Sequence, residues 1–129
     1  HPGEMSRLVG KKIKNIEKNR IGVALKFAKM YNAVVVLKGY KTVVANPDGD
    51  YYINNTGNPG MAKAGMGDVL TGMIGSFLAQ GMDVYKSARL GVYLHGLAGD
   101  IAVKKIPQSS LIAMDVLEKI PEAFKKIVH

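Results

Sequence analysis

Between Asn58 and Asp68 the chain reads Asn58-Pro59-Gly60-Met61-Ala62-Lys63-Ala64-Gly65-Met66-Gly67-Asp68, small and flexible residues running into Gly-x-Gly-Asp. An apolar pattern of helical spacing starts at once, through Val69, Leu70, Met73, Ile74, Phe77 and Leu78. Glycines ahead of a helix let backbone come close to a ligand, and a helix N-terminus offers unpaired N–H groups and a positive dipole end. That combination suits a phosphate. Asp68, at the same point, adds a group that could take a proton. An anion cradle beside a base is the outline of a phosphoryl-transfer site. The plainer reading of Asp68 is a capping carboxylate. Gly65 and Gly67 would turn their N–H groups toward phosphate oxygens, whereas Gly72 and Gly75, inside the helix, suit close helix packing. The pattern is not a Walker A loop, since no Gly-Lys-Ser/Thr follows, and not a dinucleotide fingerprint, since Gly-x-Gly runs into Asp.

A second segment, Lys38-Gly39-Tyr40-Lys41-Thr42, lies where a strand ends. Ligands in open α/β sheets bind beyond the carboxyl ends of strands. Lys38 or Lys41 could meet phosphate there and Thr42 could hydrogen-bond, unless the segment is an ordinary connection. His1-Pro2-Gly3-Glu4 through Arg7 brings a histidine, a carboxylate and an arginine close together. His95 and Asp100 are five residues apart on one helical pattern, do not share a face well, and read as structural. No cluster has protein-metal spacing, so no metal site is expected.

The elements that must position these residues follow from periodicity and punctuation. A short helix is expected at 4–9 and an amphipathic one from about Asn15 to Tyr31, with Ile21, Leu25 and Ala28 at helical spacing and Asn32 as its stop. Ala33 to Leu37 is a β-branched run, as in a strand buried on both faces. Thr42 to Ala45 is a second strand, Asn46-Pro47-Asp48-Gly49 a turn, and Tyr51 to Ile53 a returning hairpin partner. A glycine-rich loop over 55–66 leads to a helix from about Gly67 to Gln80, ended by Gly81. Asp83 caps a long helix to about Lys104, with Ala88, Val92, Leu94, Ala98 and Ile101 inward. Ile106-Pro107 breaks it. A last helical pair follows, with Pro121 in the first turn of its second member. The order predicts one α/β domain with a mostly parallel sheet and no internal boundary across 1–129. Its few visible strands lead to the expectation that a preceding segment supplies the rest of the sheet.

Composition narrows the classes. The 129 residues suffice for one domain with a core, 47% are hydrophobic, and no apolar run approaches a membrane span. Cysteine is absent, which excludes disulfides and thiolate metal sites and fits a cytoplasmic protein. The net charge of +8 lies wholly in residues 1–45. Such a stretch attracts anions or forms a solvated face. With no tryptophan and scattered tyrosines there is no stacking platform, so nucleic acid is not an expected partner, nor is a membrane.

These residues have a family resemblance. His1-Pro2-Gly3-Glu4-Met5-Ser6-Arg7-Leu8, Leu37-Lys38-Gly39, Asn46-Pro47-Asp48-Gly49, Asn55-Thr56-Gly57-Asn58-Pro59-Gly60-Met61-Ala62, Gly65-Met66-Gly67-Asp68-Val69-Leu70-Thr71-Gly72, Ala79-Gln80-Gly81 and Leu94-His95-Gly96-Leu97-Ala98-Gly99-Asp100 resemble, in order and spacing, the NAD(P)H-hydrate dehydratases. Met66 departs from the small polar residue common there. The resemblance implies a ribokinase-like, layered α/β/α fold, of which this chain matches the C-terminal half. It implies an ADP- or ATP-dependent lyase of metabolite repair, with Mg2+ arriving on the nucleotide and hydrated NADH or NADPH as substrate. Asp68 would deprotonate the ring hydroxyl and Gly67 would stabilise the transferring phosphoryl group. Lys38, Gly39, Tyr40, Lys41, Thr42, Asn58, Gly60, Met61, Ala62, Gly65 and Gly67 would contact the nucleotide, and His1, Glu4, Arg7 and Asp68 the hydrated dinucleotide. It also implies a homo-oligomer. The alternatives are a ribokinase-like small-molecule kinase of the hydroxyethylthiazole-kinase type and a non-catalytic nucleotide-binding fragment.

Overall fold

The computed structural model describes residues 19–128. The helix expected at 4–9, the 15–18 start of the next one, and His1, Glu4 and Arg7 lie outside the described residues. The chain divides between Asn54 and Asn55 into two compact units.

In the first unit, α1 spans Arg20–Tyr31. Asn19 caps it, its side chain accepting the Gly22 N–H at 3.3 Å and its carbonyl the Val23 N–H at 3.0 Å. Asn32 ends it in the left-handed conformation, which asparagine tolerates. The inward stripe is Val23, Ala24 and Ala28, with Ile21, Leu25 and Phe27 at its margin. This face packs on β1 (Val35–Leu37) and β2 (Val43–Ala45), burying Val35, Leu37, Val43 and Ala45. β3 (Tyr51–Ile53) completes the sheet, in order β1-β2-β3.

The register pairs Val35 with Ala45, Leu37 with Val43, Val43 with Ile53 and Ala45 with Tyr51, and both pairings are antiparallel. The expected mostly parallel sheet is therefore not what the described strands form. The connections 38–42 and 46–50 are hairpin-sized, and a parallel crossover needs a dozen or more residues. The hairpin turn itself sits where Asn46-Pro47-Asp48-Gly49 puts it. Asn46 N–H donates to the Asp50 carbonyl at 2.8 Å, and the Asp48 carboxylate accepts the Asp50 N–H at 2.9 Å. That bond, with help from the Asn46 side chain, holds the Asp48 carboxyl below its ordinary pKa.

The second unit holds α2 (Met66–Ala79), α3 (Val84–Ala102) and α4 (Ala113–Ile127), packed pairwise. Met66, Met73, Phe77, Leu94, Ala98, Ile101, Leu111, Val116 and Ala123 form its core, and Phe124 meets Phe77 edge-on at 6.0 Å. Met66 is buried in this core, which suits an apolar residue at that position. After α2, Gly81 N–H bonds the Leu78 carbonyl and Met82 N–H the Phe77 carbonyl, a Schellman end. Asp83 caps α3 by accepting the Lys86 N–H at 3.0 Å.

Two expectations are corrected here. A Cβ added at Gly72 or Gly75 meets nothing within 4 Å among the described residues. Close helix packing belongs instead to α3, where a Cβ on Gly91 would lie 2.6 Å from Ile74. The expected final helical pair is one helix, with Pro121 inside it. Pro121 lies on the exposed face, so the carbonyl it leaves without an N–H donor can take water. Val116, Ile120, Ala123 and Phe124 hold both halves to the core.

Candidate functional site

In the second unit, the loop from Thr56 to Gly65 lies along α3. The Thr56 hydroxyl donates to the Tyr93 carbonyl at 2.8 Å. Asp100 grips the next two residues, accepting the Gly57 N–H at 2.9 Å and the Asn58 side-chain amide at 3.0 Å. Asn58 in turn accepts the Gly60 N–H at 3.0 Å and so caps the 3-10 turn Pro59–Met61. The approach requires glycine on the helix: a Cβ on Gly96 would lie 2.8 Å from the Gly57 nitrogen. Gly60 is buried against the backbone of Gln108. Met61 lies against Gly99, while Ala62 and Lys63 are exposed.

Gly65 ends the loop with φ +85° and is the N-cap of α2, with no side chain to close the helix start. The helix therefore begins at Met66, one residue before the expected Gly67. Gly67 is its second residue and Asp68 its third, so the reading of Asp68 as a plain N-cap falls. Met66 N–H bonds the Lys63 carbonyl and Val69 N–H the Gly65 carbonyl. The N–H groups of Gly67 and Asp68 have no acceptor among the described residues. The Asp68 side chain is exposed, and among the described residues its carboxylate makes no hydrogen bond. Two donors left open among the described residues at the positive end of a helix, with the Asp68 carboxylate in its first turn, can hold an anion and accept a proton.

In the first unit, Lys38-Gly39-Tyr40-Lys41-Thr42 forms a tight loop between β1 and β2. Gly39 and Lys41 both have positive φ. The Thr42 hydroxyl donates to the Gly39 carbonyl at 3.1 Å and accepts the Gly39 N–H at 3.3 Å. Its proton is thus held inside the loop rather than offered to a ligand. Lys41 reaches over the exposed Tyr40 ring, 5.6 Å from its centroid. The loop is gathered from behind by Arg20, which donates to the carbonyls of Leu37 at 2.9 Å, Lys41 at 3.3 Å and Tyr40. Arg20, Lys63 and the loop-gripping role of Asp100 went unread in the sequence. Their partners lie 17 to 48 residues away, and only Asp100, already read as structural, carried any signal. Among the described residues no group of His, Cys, Asp or Glu could hold a metal ion. No described helix is long and apolar enough to cross a membrane.

This arrangement, a glycine loop opening onto a bare helix start in an α/β chain, is that of the ribokinase-like class. The backbone matches a ribokinase-like superfamily protein of Enterococcus faecalis with a TM-score of 0.82 at 31% identity, over 98% of this chain and 42% of that one. It matches the ADP/ATP-dependent NAD(P)H-hydrate dehydratase of Bacillus subtilis, co-crystallised with ATP/Mg2+, with a TM-score of 0.93 at 37% identity, over 98% of this chain and 46% of that one. The NAD(P)H-hydrate dehydratase family model matches residues 1–122, and the chain belongs to that family. Relatives include a bifunctional NAD(P)H-hydrate repair enzyme of Moorella thermoacetica, 48% identical over 98% of this chain and 24% of that protein. Another is the ADP-dependent (S)-NAD(P)H-hydrate dehydratase of Neisseria meningitidis, 45% identical over 91% of this chain and 38% of that protein. The chain thus spans less than half the length of these relatives.

Proposed function

We propose that residues 1–129 are the C-terminal portion of one ribokinase-like domain that dehydrates hydrated NADH or NADPH at the expense of a nucleotide. The observation that carries this reading is the open start of α2. The donors of Gly67 and Asp68 and the Asp68 carboxylate, none of them bonded among the described residues, stand together at the end of a loop inside the family match. Asp68 takes the proton of the ring hydroxyl as its oxygen attacks the terminal phosphorus of the nucleotide. The bond from that phosphorus to the nucleotide's bridging oxygen breaks. The Gly67 N–H and the helix dipole stabilise the charge on the transferring group. Phosphate then leaves the ring carbon, the neighbouring carbon loses a proton, and the double bond returns. Phosphate leaves far more readily than hydroxide, which is the reason to phosphorylate first.

The donor is ADP or ATP, in keeping with the ADP-dependent Neisseria relative and the ADP/ATP-dependent Bacillus enzyme. Magnesium comes with it, held by phosphate oxygens and water rather than by a protein cage. Lys38, Gly39, Tyr40, Lys41, Thr42, Asn58, Gly60, Met61, Ala62, Gly65 and Gly67 contact the nucleotide. His1, Glu4, Arg7 and Asp68 contact the hydrated dinucleotide. The test uses the full-length protein with hydrated NADH, ADP and Mg2+. Return of NADH absorbance with release of one phosphate per ring is expected. No return overturns the proposal, and a phosphorylated product that keeps its phosphate assigns a small-molecule kinase instead.

A further inference from the structure

Lys63 sits in the middle of the glycine loop, where a lysine reads as a phosphate ligand. Its ammonium points elsewhere. Nζ donates to the carbonyls of Gln108 at 3.0 Å, Ser109 at 2.8 Å and Leu111 at 2.8 Å. An ammonium has three protons, so none remains for a phosphate. The three acceptors sit on a short turn between α3 and α4 that ends at the fully buried Leu111. Converging carbonyls at this distance are the environment that replaces the water shell of a monovalent cation.

The surrounding contacts show what this achieves. The loop meets the 108–113 segment at three successive places: Gly60 on Gln108, Lys63 on the carbonyls, and Gly65 on Ala113, whose Cβ would lie 3.2 Å from one added at Gly65. The Lys63 carbonyl also takes the N–H of Met66, the first residue of α2. Side chain and backbone of one residue therefore tie the helix start to the turn, immediately before the two open donors. We propose that Lys63 is a positioning residue acting as a tethered monovalent cation. It fixes the aim of the Gly67 and Asp68 N–H groups without touching the anion they hold. The kinetic part of this inference rests on the dehydratase reading; the structural part does not.

The experiment compares the full-length wild type with Lys63→Met, Lys63→Ala and Lys63→Arg. Amide hydrogen exchange over 58–68 and 106–112 is followed without substrate, in potassium, ammonium or tetramethylammonium chloride at one ionic strength. Faster exchange in both segments is expected for the Met and Ala variants. Potassium or ammonium should restore protection in the Ala variant and bulky tetramethylammonium should not. In the dehydration assay kcat/KM falls roughly a hundredfold, as for a displacement of about 1 Å, chiefly through kcat, and recovers with the same two cations. Arginine, a flat fork that cannot aim its donors at one point, does not rescue. Unchanged exchange, rescue by every salt alike, or full activity of Lys63→Arg overturns the proposal. Should the apolar variants fail to fold, refolding yield in potassium against tetramethylammonium decides, equality overturning it. Exchange changes in a protein without dehydratase activity uphold Lys63 and refute only the enzyme reading.

Discussion

Replacing Asp68 with asparagine separates catalysis from stability. The carboxylate is exposed, and among the described residues it makes no hydrogen bond. The structural loss is therefore confined to its favourable place in the first turn of α2, about 0.3–1 kcal/mol. Asparagine keeps the size and leaves the two open N–H groups untouched. It cannot take a proton, and a positioned general base contributes about 10²–10⁴-fold in rate. The expected signature is a fall in kcat of at least about a hundredfold, with a melting temperature close to wild type and nucleotide affinity retained. The assay is recovery of NADH absorbance from hydrated NADH and ADP, paired with a thermal melt and calorimetric ADP titration of the same preparation. Asp68→Asn turning over within a few-fold of wild type would refute the assignment of the base. A melting temperature falling as far as the activity would show that Asp68 acts through the fold.

Asp100→Ala removes the acceptor of two hydrogen bonds that hold Gly57 and Asn58 to α3, and should cost roughly 2 kcal/mol of stability. Urea unfolding checks it; a change within error would show that the loop stands without this grip. Gly65→Ala forces a side chain into φ +85° with the Ala113 methyl 3.2 Å away, and should cost about 1–2 kcal/mol and misplace the start of α2. Its melting temperature and kcat should fall together, and wild-type values in both would contradict the geometry. Asp48 should titrate below an ordinary aspartate in a carboxyl NMR titration. Because its folded pKa is depressed, its contribution to the turn is present above the unfolded value and is lost as pH falls through the folded one. A midpoint at or above the ordinary value would remove the Asp50 amide as its cause.

What was legible in the sequence was local. The 46–50 turn, Gly81 after α2 and Asp83 before α3 each depend on one residue's conformation or one side chain reaching a few residues along, and each appears where punctuation puts it. Strand direction was not legible from a β-branched run, because a buried face looks the same in either pairing, and only the shortness of 38–42 and 46–50 decides it. Pro121 misled because a proline's cost depends on which face it occupies, and that is set by the core against which α4 docks. The glycines divided by partner rather than by pattern. Gly72 and Gly75 within α2 meet nothing described, whereas Gly60 and Gly96 are required by backbone from another element. The open start of α2 could be read because a glycine-rich lead into a helix is written in consecutive residues. The side chains that aim it could not, since Asp100 lies 43 residues from Gly57 and Lys63 as much as 48 from its acceptors.

Arg20 and Lys63 give the positive charge of this chain a different meaning from the one its count invites. A loop that leaves the regular ladders leaves carbonyl groups without backbone donors, and such groups need partners. Ordinary helices and strands cannot supply them there, because their backbone donors are already bonded within the element. In the first unit a guanidinium collects the carbonyls of Leu37, Tyr40 and Lys41 behind the 38–42 loop. In the second an ammonium, itself part of the glycine loop, collects those of Gln108, Ser109 and Leu111. Each cation satisfies carbonyls at short range within its own unit. One guanidinium and one ammonium thereby fix the shape of the backbone, each within its own unit. Counting basic residues registers their charge, but the work these two do, holding loop carbonyls 17 to 48 residues away, appears only in the contacts.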